Sequence, residues 1–389
     1  MSEAAGHCYG NEPLTQAGWL FVQNETRQII HWAMGFRNQI DFHRVKSFLQ
    51  DSLVIKHPHW LHHAPGNGIS LMSLLLMSCR RADDPGTMPT IGVSRRSDLR
   101  TGRRKGLVEV VMAVLSLVWW TVVYALEFIA RSLRVKDTRT VIGGGEGVEP
   151  WLRRLRTASF RIDDTKAVKA AVSDAVRFFL DAPQISLYEM IIFFFLKEVM
   201  DGSKITGMLM VNLREQPGLQ EFSVVMKGDP GLRWGNRFVV FLLPIKYRSG
   251  GSNGDPLDPL RRAKVMLDRK KGSLEAHFSY FIGNMVASIL NYRIICNTTF
   301  TILNMIGPQE EITEMDNPIT HFRVTTSSLP TALMMHMVSY AGRADMQILV
   351  AKDVIPEPRF LAKRFEEALL KMKAAATATT GPQAANRVR

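Results

Sequence analysis

The stretch Leu61-His62-His63-Ala64-Pro65-Gly66-Asn67-Gly68 decides how the rest of the chain is interpreted. Its two adjacent histidines come directly before a turn that proline and glycine mark strongly. A neutral histidine at the floor of a channel can take the proton of an alcohol that attacks a thioester carbon, and can return it to the leaving thiolate. A tight turn that ends in glycine lets substrate and backbone approach closely. The stretch therefore predicts acyl transfer centred on this histidine pair.

Two other interpretations of these histidines remain open. His57 and His59 come just before the pair, so the four histidines together have the density of a metal site. No cysteine, aspartate or glutamate within the stretch joins them, and an incidental cluster is the third interpretation. We therefore expect no metal at this position.

The charge balance restricts the classes of binding partner. The chain has 389 residues, and its 49 lysines and arginines against 36 acidic residues give a formal net charge of +13. A basic surplus suits nucleic acid, an anionic membrane surface or a phosphorylated substrate. The sequence has no zinc-finger, helix-turn-helix or RNA-stacking signature. We expect a membrane surface and no nucleic acid, and a basic lipid- or nucleic-acid-binding module is a weaker alternative. Three widely separated cysteines fit a reducing compartment.

Residues 106–130 form the most hydrophobic part of the chain, with no charge between Glu109 and Glu127. The uncharged run is at the short end of the roughly 17–25 residues that a bilayer core requires. Trp119 and Trp120 lie in the middle of the run and not at an interface level. A helix buried inside a large protein and a membrane-embedded or interfacial helix are both consistent with this pattern.

The apolar periodicity predicts strands and helices that alternate without the cadence of a doubly wound sheet. Strands are predicted at residues 28–34, 157–162, 208–213, 238–245, 299–305, 320–326, 334–340 and 346–351. Helices are predicted at residues 41–53, 69–79, 165–180, 258–285 and 358–372. The expected fold class is α/β (α+β), with an N-terminal domain at 1–145, a C-terminal domain at 146–375 and a disordered tail at 376–389.

Blocks along most of the chain resemble the plant-type wax ester synthase/diacylglycerol acyltransferase family, which is similar to the wider group of CoA-dependent acyltransferases. Residues 61–68 resemble the His-His-x-x-x-Asp-Gly motif of that family. Further blocks follow in the family's order: Glu12-Pro13-Leu14, Lys136-Asp137-Thr138, Val211-Asn212-Leu213-Arg214, Trp234-Gly235-Asn236, Asn304-Met305-Ile306-Gly307-Pro308 and His336-Met337-Val338-Ser339-Tyr340. Several independent blocks in one order make the resemblance specific.

The resemblance implies a two-domain CoA-dependent acyltransferase-like sandwich of mixed sheets and helices with a channel between the domains. It implies transfer of a long-chain acyl group from acyl-CoA to a fatty alcohol or to diacylglycerol, without a cofactor. His63 would be the general base and His62 would shape the turn, which Asn67 and Gly68 would help to hold.

The other family motifs imply a substrate and CoA channel lined by five residues, Asp174, Asn236, Asn304, Gly307 and Pro308. The implied location is the endoplasmic reticulum membrane, with the plasma membrane as a second location, and the site is expected to face the cytosol.

Three departures from the family pattern affect the predicted site. Asn67 replaces the family's aspartate, so a charge-assisted bond would become an ordinary hydrogen bond. Pro65 restricts the backbone next to the base. His57-Pro58-His59-Trp60 directly precedes the histidine pair, where the family has a long segment, which predicts an internal deletion that leaves the first domain incomplete. A catalytically impaired, membrane-associated remnant of the family is therefore the alternative function.

Basic residues in the predicted helix at 258–285 also allow two interpretations. They could meet the phosphates of CoA, or they could form a solvated helix face. The residues concerned are Arg261, Arg262, Lys264, Arg269, Lys270 and Lys271.

Overall fold

The structure is a computed structural model of the whole chain, and it describes twelve ranges of residues. These ranges are 29–51, 72–73, 75–90, 106–134, 155–163, 204–212, 238–246, 258–274, 277–278, 298–327, 331–352 and 354–379.

The described residues contain strands and helices whose bounds follow the apolar patterning of the sequence. The strands are β1 (Ile29–Phe36), β2 (Arg80–Arg81), β3 (Leu155–Ile162), β4 (Lys204–Asn212), β5 (Phe238–Lys246), β6 (Phe300–Ile306), β7 (Ile312–Glu314), β8 (Asn317–Ser327), β9 (Leu333–Tyr340) and β10 (Arg343–Ala351). The helices are α1 (Phe42–Asp51), α2 (Leu107–Arg134), α3 (Asp258–Gly272) and α4 (Pro358–Thr379).

The described strands form two sheets, which we call the small sheet and the large sheet. The small sheet has the order β1-β8-β7-β2 and is antiparallel throughout. The large sheet has the order β3-β10-β9-β6-β4-β5, in which β6 runs parallel to both β4 and β9. The predicted α/β fold with mixed sheets is confirmed.

The small sheet joins strands from both ends of the sequence. Ile29 of β1 pairs with Ser327 of β8, and Arg80 of β2 pairs with Thr313 of β7. The N-terminal domain predicted at 1–145 and the C-terminal domain predicted at 146–375 therefore share one hydrogen-bonded sheet.

An apolar core fills the space between the two sheets. Phe322 and Val324 of β8 pack with Val338 and Tyr340 of β9 in one buried cluster, which also contains Met72. Helix α4 covers the opposite face of the large sheet, where the rings of Phe365 and Phe160 stack with centroids 6.1 Å apart. Burial of this much apolar surface is the main favourable term in holding the two sheets together.

Most predicted strands are confirmed, and the differences have local causes. Strands β2 and β7 were not predicted, because strands of two or three residues carry no measurable periodicity. Helix α3 ends at Gly272, so the predicted helix is interrupted at Ser273 and Leu274, and residues 277–278 are helical again. At this end the Ser273 hydroxyl donates to the Lys270 carbonyl at 2.7 Å, in place of a further turn of helix.

Helix α4 extends further than predicted, through the alanine-rich segment to Thr379. Alanine has the highest helix propensity, and residues 376–379 of the predicted tail are therefore helical. Residues 380–389 lie outside the described ranges, as does the helix predicted at 165–180.

Helix α2 confirms the helix in the hydrophobic stretch and shows that it is not a core helix. It contains a segment, Leu107–Ala130, that is long and apolar enough to cross a membrane, and only 6% of the most apolar window is buried. Leu107 and Val108 are 81% and 75% exposed. The interpretation as a buried helix is wrong.

Candidate active site

The predicted site residues divide into two groups. His62, His63, Asn67, Gly68, Asp174 and Asn236 lie outside the described residues, so their predicted roles remain predictions. Asn304, Gly307 and Pro308 lie inside them, at one end of the large sheet.

The described chain resumes at Met72, four residues after Gly68. Met72 is fully buried and belongs to the core cluster between the two sheets. Leu76, which follows on the same short helical segment, is also buried in this cluster. The segment that follows the histidine motif is therefore fixed between the two sheets by apolar packing.

Gly307 and Pro308 continue the line of β6 beyond its last residue and stay close to β9. The Gly307 amide donates to the Ser339 carbonyl, and the Ala341 amide donates to the Pro308 carbonyl, both at 2.9 Å. A side-chain carbon at position 307 would lie 2.4 Å from the Ser339 carbonyl oxygen. Only glycine permits this close approach of two backbones, so the sequence requires glycine here for a steric reason.

Asn304 and its neighbours in β6 point to opposite faces of the large sheet, since side chains alternate along a strand. Asn304 pairs with Met337, whereas Met305 pairs with Val338, which faces the small sheet. The Asn304 side-chain oxygen is buried and has no hydrogen-bond partner among the described residues. The structure thus places Asn304 on the face of the large sheet away from the inter-sheet core.

His336, which belongs to one of the family motif blocks but has no predicted role, forms a buried polar contact between the two sheets. Its Nε2 atom lies 2.9 Å from the Thr326 hydroxyl of β8, and its Nδ1 atom has no hydrogen-bond partner in the described ranges. Burial lowers the pKa of His336 to about 3, so the imidazole is neutral near pH 7. A histidine within the apolar run Leu333–Val338 of β9 was the sequence signal for this contact.

Tyr340, at the end of β9, links the two sheets through its hydroxyl group. The hydroxyl accepts a hydrogen bond from the Ile312 amide and donates one to the Ile319 carbonyl, both at 2.9 Å. Its ring meets Phe322 edge-on with centroids 5.1 Å apart. The end of the large sheet that carries Gly307 and Pro308 is therefore tied directly to the small sheet.

Comparison with known proteins gives the family of this chain. The WS/DGAT C-terminal domain matches residues 234–373, which include Gly307, Pro308 and Tyr340. The chain is 32% identical to wax ester synthase/diacylglycerol acyltransferase 5 of Arabidopsis thaliana, over 83% of this chain and 69% of that protein. It is 33% identical to wax ester synthase/diacylglycerol acyltransferase 4 of the same plant, over 82% of this chain and 66% of that protein. The chain belongs to the wax ester synthase/diacylglycerol acyltransferase family.

The wax ester synthase/diacylglycerol acyltransferase from Marinobacter aquaeolei VT8 is a solved structure with 13% sequence identity to this chain and a TM-score of 0.44. The match covers 82% of this chain and 67% of the Marinobacter protein. By length, this member of the family spans about two thirds of the Arabidopsis relatives named above.

In this wax ester synthase/diacylglycerol acyltransferase family member, the cations of α3 contact α2. Lys270 is buried, with its ammonium 3.6 Å from the Glu127 carboxylate and 4.4 Å from the Tyr124 ring centre. The Arg269 guanidinium lies 4.4 Å from the Trp120 ring centre. Lys264 is also buried and pairs with Asp268. The interpretation of this region as a solvated face is wrong for Lys264 and Lys270, whose charges are met by neighbouring carboxylates.

The described residues contain no group of three or more histidine, cysteine, aspartate or glutamate side chains that could hold a metal ion. The histidines at 57, 59, 62 and 63 lie outside those ranges.

Proposed function

We propose that this chain is an O-acyltransferase that moves a long-chain acyl group from acyl-CoA to a fatty alcohol or to diacylglycerol. The supporting observation is family membership, together with the chain order of the motifs that carry it. In this proposal the products are a wax ester and triacylglycerol, respectively, and no cofactor takes part.

His63 is the general base in the proposed reaction. It takes the hydroxyl proton as the alcohol oxygen attacks the thioester carbonyl carbon, and the proton then goes to the sulfur of the departing CoA. His62 shapes the turn, and Asn67 and Gly68 hold it. The burial of Met72 between the sheets supports a position for the motif close to the junction of the sheets.

The test is an acyl-transfer assay with a radiolabelled long-chain acyl-CoA and either fatty alcohol or diacylglycerol. Loss of labelled ester in His63→Ala, with activity retained in His43→Ala, is the expected result, since His43 is exposed on α1. Turnover that survives His63→Ala would remove the assigned role.

The impaired-remnant alternative is favoured by one observation, the direct junction of Trp60 with the Leu61-His62-His63 motif, where the family pattern has a long intervening segment. If it holds, the unmodified chain gives no ester with either acceptor. Insertion of the corresponding segment of a relative between Trp60 and Leu61, combined with Asn67→Asp, should then create activity. Turnover by the unmodified chain excludes this alternative.

We also propose that α2 attaches the protein to a membrane. The residues from 106 to 116 are exposed on every side of the helix, and Glu109 is the only charged residue among them. An apolar helix with no polar face is unfavourable in water and favourable in lipid. The basic sequence on either side of α2 suits anionic headgroups.

The contact with α3 limits how far α2 can enter the lipid. Arg269 and Lys270 lie beside Trp120 and Tyr124, and charged groups are costly in the hydrocarbon core. The part of α2 before this contact, residues 107–118, is about 18 Å long. A hydrocarbon core is about 30 Å thick, so this part can reach slightly past the midplane of the bilayer but falls short of crossing it.

Flotation of the purified protein with phosphatidylcholine vesicles, with and without phosphatidylserine, tests the attachment. Val111→Glu combined with Leu115→Glu should abolish flotation, because these exposed residues are one turn apart on α2. Phe360→Glu, at an exposed apolar position on α4, is the matched control and should float normally. Equal loss in both variants, or no flotation of the unmodified chain, would overturn the proposal.

The endoplasmic reticulum, with the cytosolic side for the site, is the location we propose from the family resemblance. Imaging of a fluorescent fusion in plant cells, combined with protease protection of microsomes, distinguishes this location from the plasma membrane and from the luminal side.

A further inference from the structure

A buried carboxylate, Asp345 of β10, lies between arginines from both sheets. Its Oδ1 atom is 3.5 Å from Nε of Arg161 on β3 and 3.7 Å from Nε of Arg323 on β8. Asp345 is 4% exposed, whereas both arginine side chains are 37% exposed. The carboxylate is thus enclosed, and both arginine side chains are partly exposed.

Arg343 and His321 lie close to these three residues. Arg343, the first residue of β10, lies with its guanidinium carbon 6.0 Å from the Tyr340 ring centre. Burial lowers the pKa of His321 on β8, and the positive charge of Arg323 lowers it further. The negative charge of Asp345 raises it. We call Arg161, Arg323 and Arg343 the arginine cluster.

The arginine cluster has more positive charge and more donors than Asp345 can satisfy. Each guanidinium carries one positive charge and five N–H donors, and a carboxylate carries one negative charge. Both contacts of Asp345 are too long for hydrogen bonds, and neither its Oδ1 atom nor Nε of Arg323 has a hydrogen-bond partner among the described residues. A partly exposed excess of guanidinium donors around a buried carboxylate is suited to an added anion, above all phosphate.

The arginine cluster lies at the same end of the large sheet as the family motif on β6. Strands β3, β6 and β9 run in one direction, because β10 is antiparallel to both β3 and β9, and β9 is parallel to β6. The last residues of these strands, Ile162, Ile306 and Tyr340, therefore lie at one end of the large sheet. Arg161 is next to the end of β3, and Gly307 directly follows β6.

We propose that the arginine cluster binds the phosphate groups of the CoA part of the acyl donor, with Asp345 as the positioning residue for Arg161 and Arg323. This inference rests on the proposed function, since it takes acyl-CoA as the donor. The basic residues of α3 are less suited to this role, because Lys264 and Lys270 are buried against carboxylates.

The test is a direct binding measurement by isothermal titration calorimetry, with no acyl acceptor present. The ligands are CoA, dephospho-CoA, which lacks the 3′-phosphate, and inorganic phosphate. The variants are Arg161→Gln and Arg323→Gln, and Arg359→Gln, exposed at the start of α4, is the control. Each variant of the arginine cluster should bind CoA about tenfold more weakly or worse, and the control should bind as the unmodified chain does.

Comparison of CoA with dephospho-CoA shows which phosphate group of CoA the arginine cluster binds. If the cluster binds the 3′-phosphate, Arg→Gln removes the difference between CoA and dephospho-CoA. If it binds the diphosphate, both affinities fall together. Arg323→Lys keeps the positive charge and loses the planar set of guanidinium donors, so its affinity for CoA should be intermediate. This variant replaces Arg323→Gln in the test if the glutamine variant does not unfold cooperatively.

Unchanged CoA binding in folded Arg161→Gln and Arg323→Gln overturns the inference, as does a chain that binds no CoA. Loss of binding to vesicles that contain phosphatidic acid, with CoA binding intact, would assign the cluster to lipid headgroups and also overturns it. Failure of the proposed function looks different: CoA binding would depend on the arginine cluster, but no ester would form with any acceptor.

Discussion

The buried ammonium of Lys270 lies 3.6 Å from the carboxylate of Glu127, and this pair joins α3 to the C-terminal half of α2. The Lys270 side chain is 1% exposed and that of Glu127 is 26% exposed. The lysine therefore depends on protein groups for its charge, while the glutamate retains some contact with water. In the proposed membrane attachment, this contact separates the part of α2 that is available to lipid from the part that packs on α3.

Replacement of Glu127 by glutamine should destabilise the packing of α3 on α2. The change removes the negative charge opposite a buried ammonium, and we expect a loss of about 1–3 kcal/mol in the free energy of unfolding. Chemical denaturation followed by tryptophan fluorescence measures the loss. The matched control is Glu109→Gln on the exposed start of the same helix, which should change stability by less than about 0.5 kcal/mol. Equal effects of the two substitutions would contradict the assignment.

His336 should make the stability of the protein depend on pH. Its pKa is depressed in the folded state to about 3, while the unfolded chain takes up the proton near the ordinary value of 6.5. The stability contribution is therefore complete above about pH 6.5 and is lost as the pH falls towards 3. Between pH 7 and pH 5 the loss should be about 2 kcal/mol.

Denaturation curves at several pH values check this contribution of His336. A variant with His336→Gln should lack this part of the pH dependence, although it starts from lower stability. His277→Gln, at an exposed position, should retain the dependence of the unmodified chain. A slope that persists in His336→Gln would show that another group is responsible.

The substitution Gly307→Ala should disturb the end of the large sheet at which β6 and β9 terminate. The added carbon would lie 2.4 Å from the Ser339 carbonyl oxygen, so the backbone of β6 or β9 must move. We expect a loss of about 1–3 kcal/mol in stability and a reduced rate of acyl transfer. Gly86→Ala is the control, since its nearest neighbour would be the Asp84 carboxylate at 3.5 Å, an ordinary contact. Thermal unfolding and the acyl-transfer assay together decide the outcome.

Removal of the Tyr340 hydroxyl should loosen the junction of the two sheets. Phenylalanine preserves the ring contact with Phe322 but leaves the Ile312 amide and the Ile319 carbonyl without this partner. The expected cost is about 1–3 kcal/mol. Hydrogen exchange at the Ile312 amide should accelerate more than exchange within the centre of β9 or β10. Unchanged protection at this amide would show that the hydroxyl does not tie the sheets together.

The sequence by itself determined the family, the reaction class that we propose and the larger strands. Strand β9 illustrates why: Leu333–Tyr340 is apolar except for His336 and Ser339, which is typical of a strand buried on both faces. The motif residues Gly307 and Pro308 were also identified from sequence, through their resemblance to a family motif. The structure adds the steric reason for glycine at position 307.

Only the tertiary structure decided that α2 is exposed and where the arginine cluster forms. An apolar sequence is the same for a core helix and for a helix in lipid, so exposure had to be observed. Arg161, Arg323 and Asp345 are far apart in the chain and each looks like an ordinary charged residue of a strand. Strand pairing and the contact between sheets bring them together, and those contacts depend on the three-dimensional register, which no local pattern of residues encodes.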